Sequence, residues 1–225
     1  MNRGLIVSCQ AEEGSPFNAP QFIAAFARAA EQGGAAGVRV RGPENVKAVA
    51  AATDLPIIGL TKGAFESGRV LITPTIDDVL RLAESGADII AFDATVRRRP
   101  GGVSGVQFLR DIRSAAHCRV CADVSTLDEG LAAAAEGADF VATTLSGYVD
   151  VPAGSKYEPD FELIQNLASK MQTPVIAEGR FWSPDQARRA FDCGAFAVCI
   201  GSAITRPVEI VRRFVDSLSG PEPGR

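Results

Sequence analysis

Eight times along 225 residues, a short apolar run gives way to a turn-rich stretch and then to a longer, alanine-rich amphipathic segment. That alternation is the signature of repeated β/α units around a parallel sheet, and eight units are the number that closes a barrel. The pattern implies an α/β chain folded as a single (β/α)8 TIM barrel over residues 1–219, followed by a disordered proline- and glycine-rich tail over 220–225. Strands are expected at 5–8, 37–40, 57–60, 88–92, 119–122, 140–143, 175–177 and 197–200. Helices are expected to start near Ala19, Glu44, Ile76, Ser104, Leu127, Asp160, Pro184 and Pro207, several of them at a proline or a capping residue.

Four of the helical segments run out in a similar phrase: Gln32-Gly33-Gly34-Ala35, Ser85-Gly86-Ala87-Asp88, Glu136-Gly137-Ala138-Asp139 and Cys193-Gly194-Ala195. A glycine just past a helix end takes a left-handed conformation and turns the chain toward the next strand, so these phrases mark the bottom of the barrel. One run breaks the alternation. Val70-Leu71-Ile72-Thr73-Pro74 lies between the third strand and its helix and reads as a short extra strand over the mouth.

In this fold, reacting side chains project from the C-terminal ends of the strands. The polar residues there are Gln10, Arg39, Lys62, Asp93, Asp123, Thr143 with Ser146, Glu178 and Ser202. Strands three and seven stand four apart in a ring of eight, which sets Lys62 and Glu178 on opposite sides of the mouth. Lys62 follows the apolar run Pro56-Ile57-Ile58-Gly59-Leu60 by two residues. Partial desolvation and a nearby cation such as Arg39 would lower its pKa, leaving an amine able to take a proton or attack a carbonyl. Glu178 ends its strand just before Gly179, at a depth where carboxylates are rarely found without a purpose.

The loops after the last two strands of such barrels commonly hold a phosphate. Here they offer the backbone of Gly179, Gly201 and Ser202, and Arg206 stands at the start of the final helix to pair with a dianion. Arg97-Arg98-Arg99 reads as a solvated loop near the rim.

Several classes are excluded. The 23 basic and 27 acidic residues give a net charge of −4 with no basic stripe, which argues against nucleic acid. Five irregularly spaced cysteines read as thiols in a reducing compartment; Cys118 and Cys121 straddle a strand start, which points their sulfurs apart. No segment is long and apolar enough to span a membrane, so a cytoplasmic protein is expected. His117, the single histidine, falls at the bottom of the barrel, and the carboxylates lack ligand spacing. No metal is therefore expected, and no dinucleotide fingerprint is present. Alanine-rich helix faces are compatible with a homo-oligomer, and packing against the barrel accounts for them equally well.

Nine motifs in order resemble one family. They are Ser8-Cys9-Gln10, Gly37-Val38-Arg39, Pro56 to Lys62, Ile72-Thr73-Pro74-Thr75, Asp93-Ala94-Thr95, Ala122 to Thr126, Thr143 to Tyr148, Ala177-Glu178-Gly179-Arg180 and Gly201 to Pro207. Together they are similar to the N-acetylmannosamine-6-phosphate 2-epimerases. The resemblance implies a phosphorylated N-acyl-hexosamine substrate and no cofactor. It also implies a catalytic lysine and glutamate at Lys62 and Glu178, sugar contacts from Gln10, Arg39 and Asp123, and a phosphate-side arginine at Arg206; Ser146 joins the candidate substrate-binding set from its place in the polar ring. The chain departs from the family at Gly63-Ala64-Phe65 and in the arginine-rich stretch from Val96 to Gly102. Two other activities fit a strand-end lysine beside a phosphate site: a Schiff-base aldolase, and a sugar-phosphate binding protein without chemistry.

Overall fold

The computed structural model describes residues 1–63, 70–148 and 158–218. The expected tail at 220–225, together with Ala64 and Phe65, lies outside the described residues. Eight parallel strands close into a barrel in sequence order: β1 (Gly4–Cys9), β2 (Gly37–Arg41), β3 (Ile57–Leu60), β4 (Ile89–Asp93), β5 (Arg119–Asp123), β6 (Phe140–Ala142), β7 (Val175–Glu178) and β8 (Ala197–Ile200). Around them run α1 (Pro20–Gln32), α2 (Pro43–Ala50), α3 (Ile76–Glu84), α4 (Gly105–Ala115), α5 (Leu127–Ala135), α6 (Phe161–Lys170), α7 (Pro184–Asp192), the one-turn α8 (Ser202–Thr205) and α9 (Pro207–Leu218). Each expected strand is present to within a residue or so at either end. The four-residue α8, separated by Arg206 from α9, which opens at Pro207, was not legible as a separate turn of helix.

The two-residue period of the strands sorts side chains between two cores. Ile6, Ile58, Leu60, Ile89, Ala91, Cys121, Phe140, Ala142, Ile176, Ala197 and Cys199 fill the barrel interior. Val7, Val38, Val40, Ile57, Ile90, Val120, Val141, Val175 and Val198 point outward and bury against the helices. Each fully buried Ile or Val contributes roughly 1.5–3 kcal/mol over its exposed state, so this double-sided pattern specifies the register strongly. The same period turns Arg39, Asp123 and Glu178 inward near the open end.

Helix ends carry the expected chemistry. Thr126 and Ser183 form capping boxes with Glu129 and Gln186, and Thr75, Ser104 and Asp160 cap α3, α4 and α6. At the bottom, Gly34, Gly86, Gly137 and Gly194 all adopt positive φ, between 82° and 98°. The amide after each of them reaches back five residues, as in Ala35 N–H to Ala30 O at 2.9 Å, which closes the helix and releases the next strand. His117 lies between α4 and β5, at this same lower end.

Gly105 opens α4 against the backbone of the loop below it. A Cβ there would lie 2.7 Å from the carbonyl oxygen of Ala94, and backbone cannot swing away as a side-chain tip would. Gly105→Ala should therefore destabilise the barrel by roughly 1–3 kcal/mol, read as a lower midpoint in urea without a change in slope.

Two expectations need correction. The run from Val70 to Pro74 forms a single antiparallel bridge, Ile72 to Lys62, rather than a strand. Arg97-Arg98-Arg99 is not a solvated loop. Arg99 is 1% exposed, and Arg97 forms a 2.6 Å ion pair with the fully buried Asp93. Asp93 is thereby committed to its own loop: its carboxylate also accepts from Thr95 Oγ1 at 2.6 Å and from the Leu71 amide at 2.8 Å.

Candidate active site

The C-terminal ends of the strands enclose a cavity of about 460 Å³. Lys62, Glu178, Gly179, Gly201, Ser202 and Arg206 all line it, joined by Ser8, Thr144, Tyr148, Arg180 and Trp182. Lys62 and Glu178 come from opposite sides of the closed sheet, after β3 and at the end of β7.

Beneath Glu178 lies a buried charge cluster. The Arg39 guanidinium donates through Nη1 and Nη2 to both oxygens of Asp123, at 3.0 and 2.7 Å. Its Nη1 also lies 3.0 Å from Glu178 Oε2. Thr144 Oγ1 donates toward both carboxylates, at 2.6 Å to Asp123 and 3.2 Å to Glu178. Arg39 and Asp123 are 1% and 0% exposed, whereas the Glu178 side chain keeps 15% of its surface. Burial alone would lower the Arg39 pKa, but the carboxylates of Asp123 and Glu178 outweigh it and hold the guanidinium well above its usual range. The cluster is thus a fixed cation between two anions, and it orients the one carboxylate that reaches the cavity.

Lys62 faces that carboxylate across the cavity. Its side chain keeps accessible surface because the mouth is open, yet the surrounding rim removes enough water to matter. Dehydration first, and then repulsion from Arg39 and Arg206, lower its pKa from 10.5 to about 8, against the opposing pull of Glu178 and Asp123. A lysine so placed is partly neutral near physiological pH and can act as a base.

At the end of β8, Gly201 packs against Ser8, where a Cβ would meet the Ser8 side chain at 3.2 Å. Ser202 begins α8, and Arg206 Nε lies 3.3 Å from Glu12 Oε1. Gly179 has φ 114° and Arg180 φ 62°, a sharp turn that carries the backbone under Tyr148. Arg180 is spent on structure, donating to the carbonyls of Ser146 and Glu158 at 2.6 and 2.7 Å.

The remaining sequence candidates sit behind this surface. Gln10 is buried and donates to Ser8 Oγ at 2.9 Å. Ser146 is 2% exposed and donates to Asp160 Oδ2 at 2.6 Å, the residue that caps α6. Thr143 holds the backbone of Glu178, while its neighbour Thr144 supplies the inward hydroxyl. Counting by two from the inward Phe140 and Ala142 leads to Thr144, a signal present in the sequence but lost by taking the strand end as the functional position. Cys199, at the cavity floor, is the other omission; burial, followed by the Glu178 charge, pushes its thiol far up and leaves it unreactive. Cys118 and Cys121 are unpaired, the first half-buried outside and the second in the barrel interior. Among the described residues no three His, Cys, Asp or Glu side chains group closely enough to hold a metal ion, and no helix is long and apolar enough to cross a membrane.

The chain is similar to proteins of one kind. The family model described as "NanE: Putative N-acetylmannosamine-6-phosphate epimerase" matches residues 23–220. A "Putative N-acetylmannosamine-6-phosphate 2-epimerase" of Caldanaerobacter subterraneus is 46% identical over 216 residues, covering 96% of this chain and 91% of the relative. One of the same description from Yersinia pseudotuberculosis is 45% identical over 218 residues, covering 97% and 91%. The solved N-acetylmannosamine-6-phosphate 2-epimerase of Clostridium perfringens superposes with a TM-score of 0.89 at 39% identity, over 95% of this chain and 92% of that one. With a family model that matches residues 23–220, and relatives this similar along nearly their whole length, the chain belongs to the N-acetylmannosamine-6-phosphate epimerase family.

Proposed function

We propose that the chain interconverts N-acetylmannosamine 6-phosphate and N-acetylglucosamine 6-phosphate, an isomerase step of sialic acid and amino sugar catabolism. The observation that carries this is that Lys62 lines one cavity with a carboxylate, Glu178, held on a buried arginine. Inverting the carbon that bears the acetamido group requires removal of its proton, which is acidic only when the neighbouring anomeric carbon is an open-chain aldehyde. Lys62 takes that proton, and the resulting enolate is protonated on the opposite face. Glu178 serves either as the second base or as the group that moves protons at the anomeric and ring oxygens. Gly179, Gly201, Ser202 and Arg206 anchor the phosphate, which holds C2 at a fixed height between the two side chains. Arg39 and Asp123 act on the sugar through Glu178, and Gln10 and Ser146 support the walls. No step requires a cofactor or a metal.

The test is a coupled assay with each hexosamine phosphate, run in deuterated water. Deuterium at C2 of the product, with none in recovered substrate, supports two bases. Product unlabelled in both directions overturns a proton exchanging with solvent, and a borohydride-trapped adduct on Lys62 would support an aldolase instead. The neutral fraction of Lys62 falls tenfold per pH unit below its pKa. Accordingly kcat/KM should rise with unit slope up to about pH 8 and level off above it; a flat profile from pH 6 to 9 excludes Lys62 as the base.

The cytoplasm suits the five unpaired cysteines. A second copy of the chain is the partner that fits α9, which has no buried residue among the described ones and presents Val211, Phe214 and Leu218 outward. Light scattering should give a dimer mass, and Phe214→Glu should reduce it to a monomer.

A further inference from the structure

Lys62 is not part of a strand. β3 ends at Leu60, and the backbone beyond it is held by the segment from Val70 to Pro74. The Thr73 amide donates to Thr61 O at 3.1 Å, the Thr61 amide donates to Thr73 Oγ1 at 3.2 Å, and Ile72 bridges to Lys62. Thr73 makes these contacts with φ at 42°, a left-handed conformation that a β-branched residue resists, and at 0% exposure. Something outside the loop must impose that geometry.

Arg99 is placed to do so. Its Nη1 donates to the carbonyls of Thr73 and Pro74 at 2.9 and 3.1 Å, and its Nη2 donates to the carbonyl of Asp93. The guanidinium stacks 3.8 Å from the ring centre of Phe108 on α4. Asp93 completes the clasp, since its amide donates to Ile72 O at 3.0 Å and its carboxylate accepts from the Leu71 amide. Arg98 O accepts from the Val70 amide at 3.3 Å. Every residue from Val70 to Pro74 is thus tied to the turn after β4, and through it to the helix layer. Taking a guanidinium out of water is unfavourable: dehydration lowers the Arg99 pKa to about 10, partly offset by Asp93. Arg99 does not line the cavity and cannot touch substrate.

We propose that Arg99 is a positioning residue for Lys62: by clamping Thr73 and Pro74 it fixes the bridge that holds the Lys62 amine over the cavity. The inference rests on the role assigned to Lys62 above. The charged groups that act on that amine are Arg39 on β2, Asp123 on β5, Glu178 on β7 and Arg206 after α8, while Arg41 contacts the Lys62 carbonyl from the end of β2. Arg99 is not one of them, so its removal reaches the amine only through the backbone.

The experiment compares Arg99→Met and Arg99→Lys with the parent enzyme, with folding checked by circular dichroism. With the clamp gone, Lys62 swings toward bulk water. In Arg99→Met, kcat should fall on the order of 10- to 100-fold while KM stays within roughly threefold. The Lys62 amine is titrated independently of turnover, from the pH dependence of its acetylation measured by mass spectrometry; the chain has only four lysines, so its peptide is readily followed. Its midpoint should move from about 8 toward 10.5 in Arg99→Met and part of the way back in Arg99→Lys. An unchanged acetylation midpoint in a folded variant overturns the proposal. A shifted midpoint with undiminished turnover leaves the clamp standing and removes Lys62 from the chemistry. Should Arg99→Met fail to fold, Arg99→Lys carries both readouts, with a smaller shift in the same direction.

Discussion

Replacing Lys62 by alanine should abolish epimerisation, lowering kcat by about 10²–10⁴-fold or to below detection, the range that a positioned general base supplies. Substrate binding should survive, because Gly179, Gly201, Ser202 and Arg206 line the other part of the cavity and none depends on the lysine. Calorimetric titration with N-acetylglucosamine 6-phosphate should give an affinity within about tenfold of the parent if the phosphate is anchored by those residues as proposed. A turnover-competent Lys62→Ala would refute the assignment. Loss of binding together with turnover would instead make Lys62 part of the anchor.

The second large effect lies in stability. Arg39→Met removes the cation from a cluster in which Asp123 is completely buried and Glu178 is partly so. An uncompensated buried carboxylate costs about 3–5 kcal/mol, which in a chain of this size lowers the melting temperature by roughly 6–20 °C. Scanning calorimetry reads it directly. Adding Asp123→Asn should recover part of the loss, because the charge left without a partner is gone. A drop of less than about 2 °C in Arg39→Met would show that water, rather than the guanidinium, compensates Asp123.

The barrel was legible because its information is local. Strand alternation, capping residues and the glycine after each helix are all read within a few positions, and β3, α5 and β8 fall where those signals place them. Lys62 and Glu178 were legible for a related reason: the closed topology turns sequence order into spatial position around the mouth. What the sequence concealed is pairing at long range. The contact between Arg39 and Asp123 spans 84 positions, so both could be assigned to the mouth but not to a cluster beneath it. Arg97-Arg98-Arg99 looks like a charge run, and such runs normally face water. The carbonyls of Thr73 and Pro74, some 25 positions earlier, together with the Asp93 carbonyl and the Phe108 ring, explain why Arg99 is buried. Thr144 was missed by one residue because strand ends are indistinct in a sequence while the inward face is not.

The dehydrated amine of Lys62 also sets a tension between catalysis and durability. In the native barrel it holds its proton only to about pH 8, whereas in an unfolded chain it holds it to about 10.5. Unfolding therefore takes up a proton between those values, and the barrel gains resistance to melting as alkalinity increases across that window. Below it, at neutral pH, the protonated side chain is a standing load that the rest of the molecule must carry.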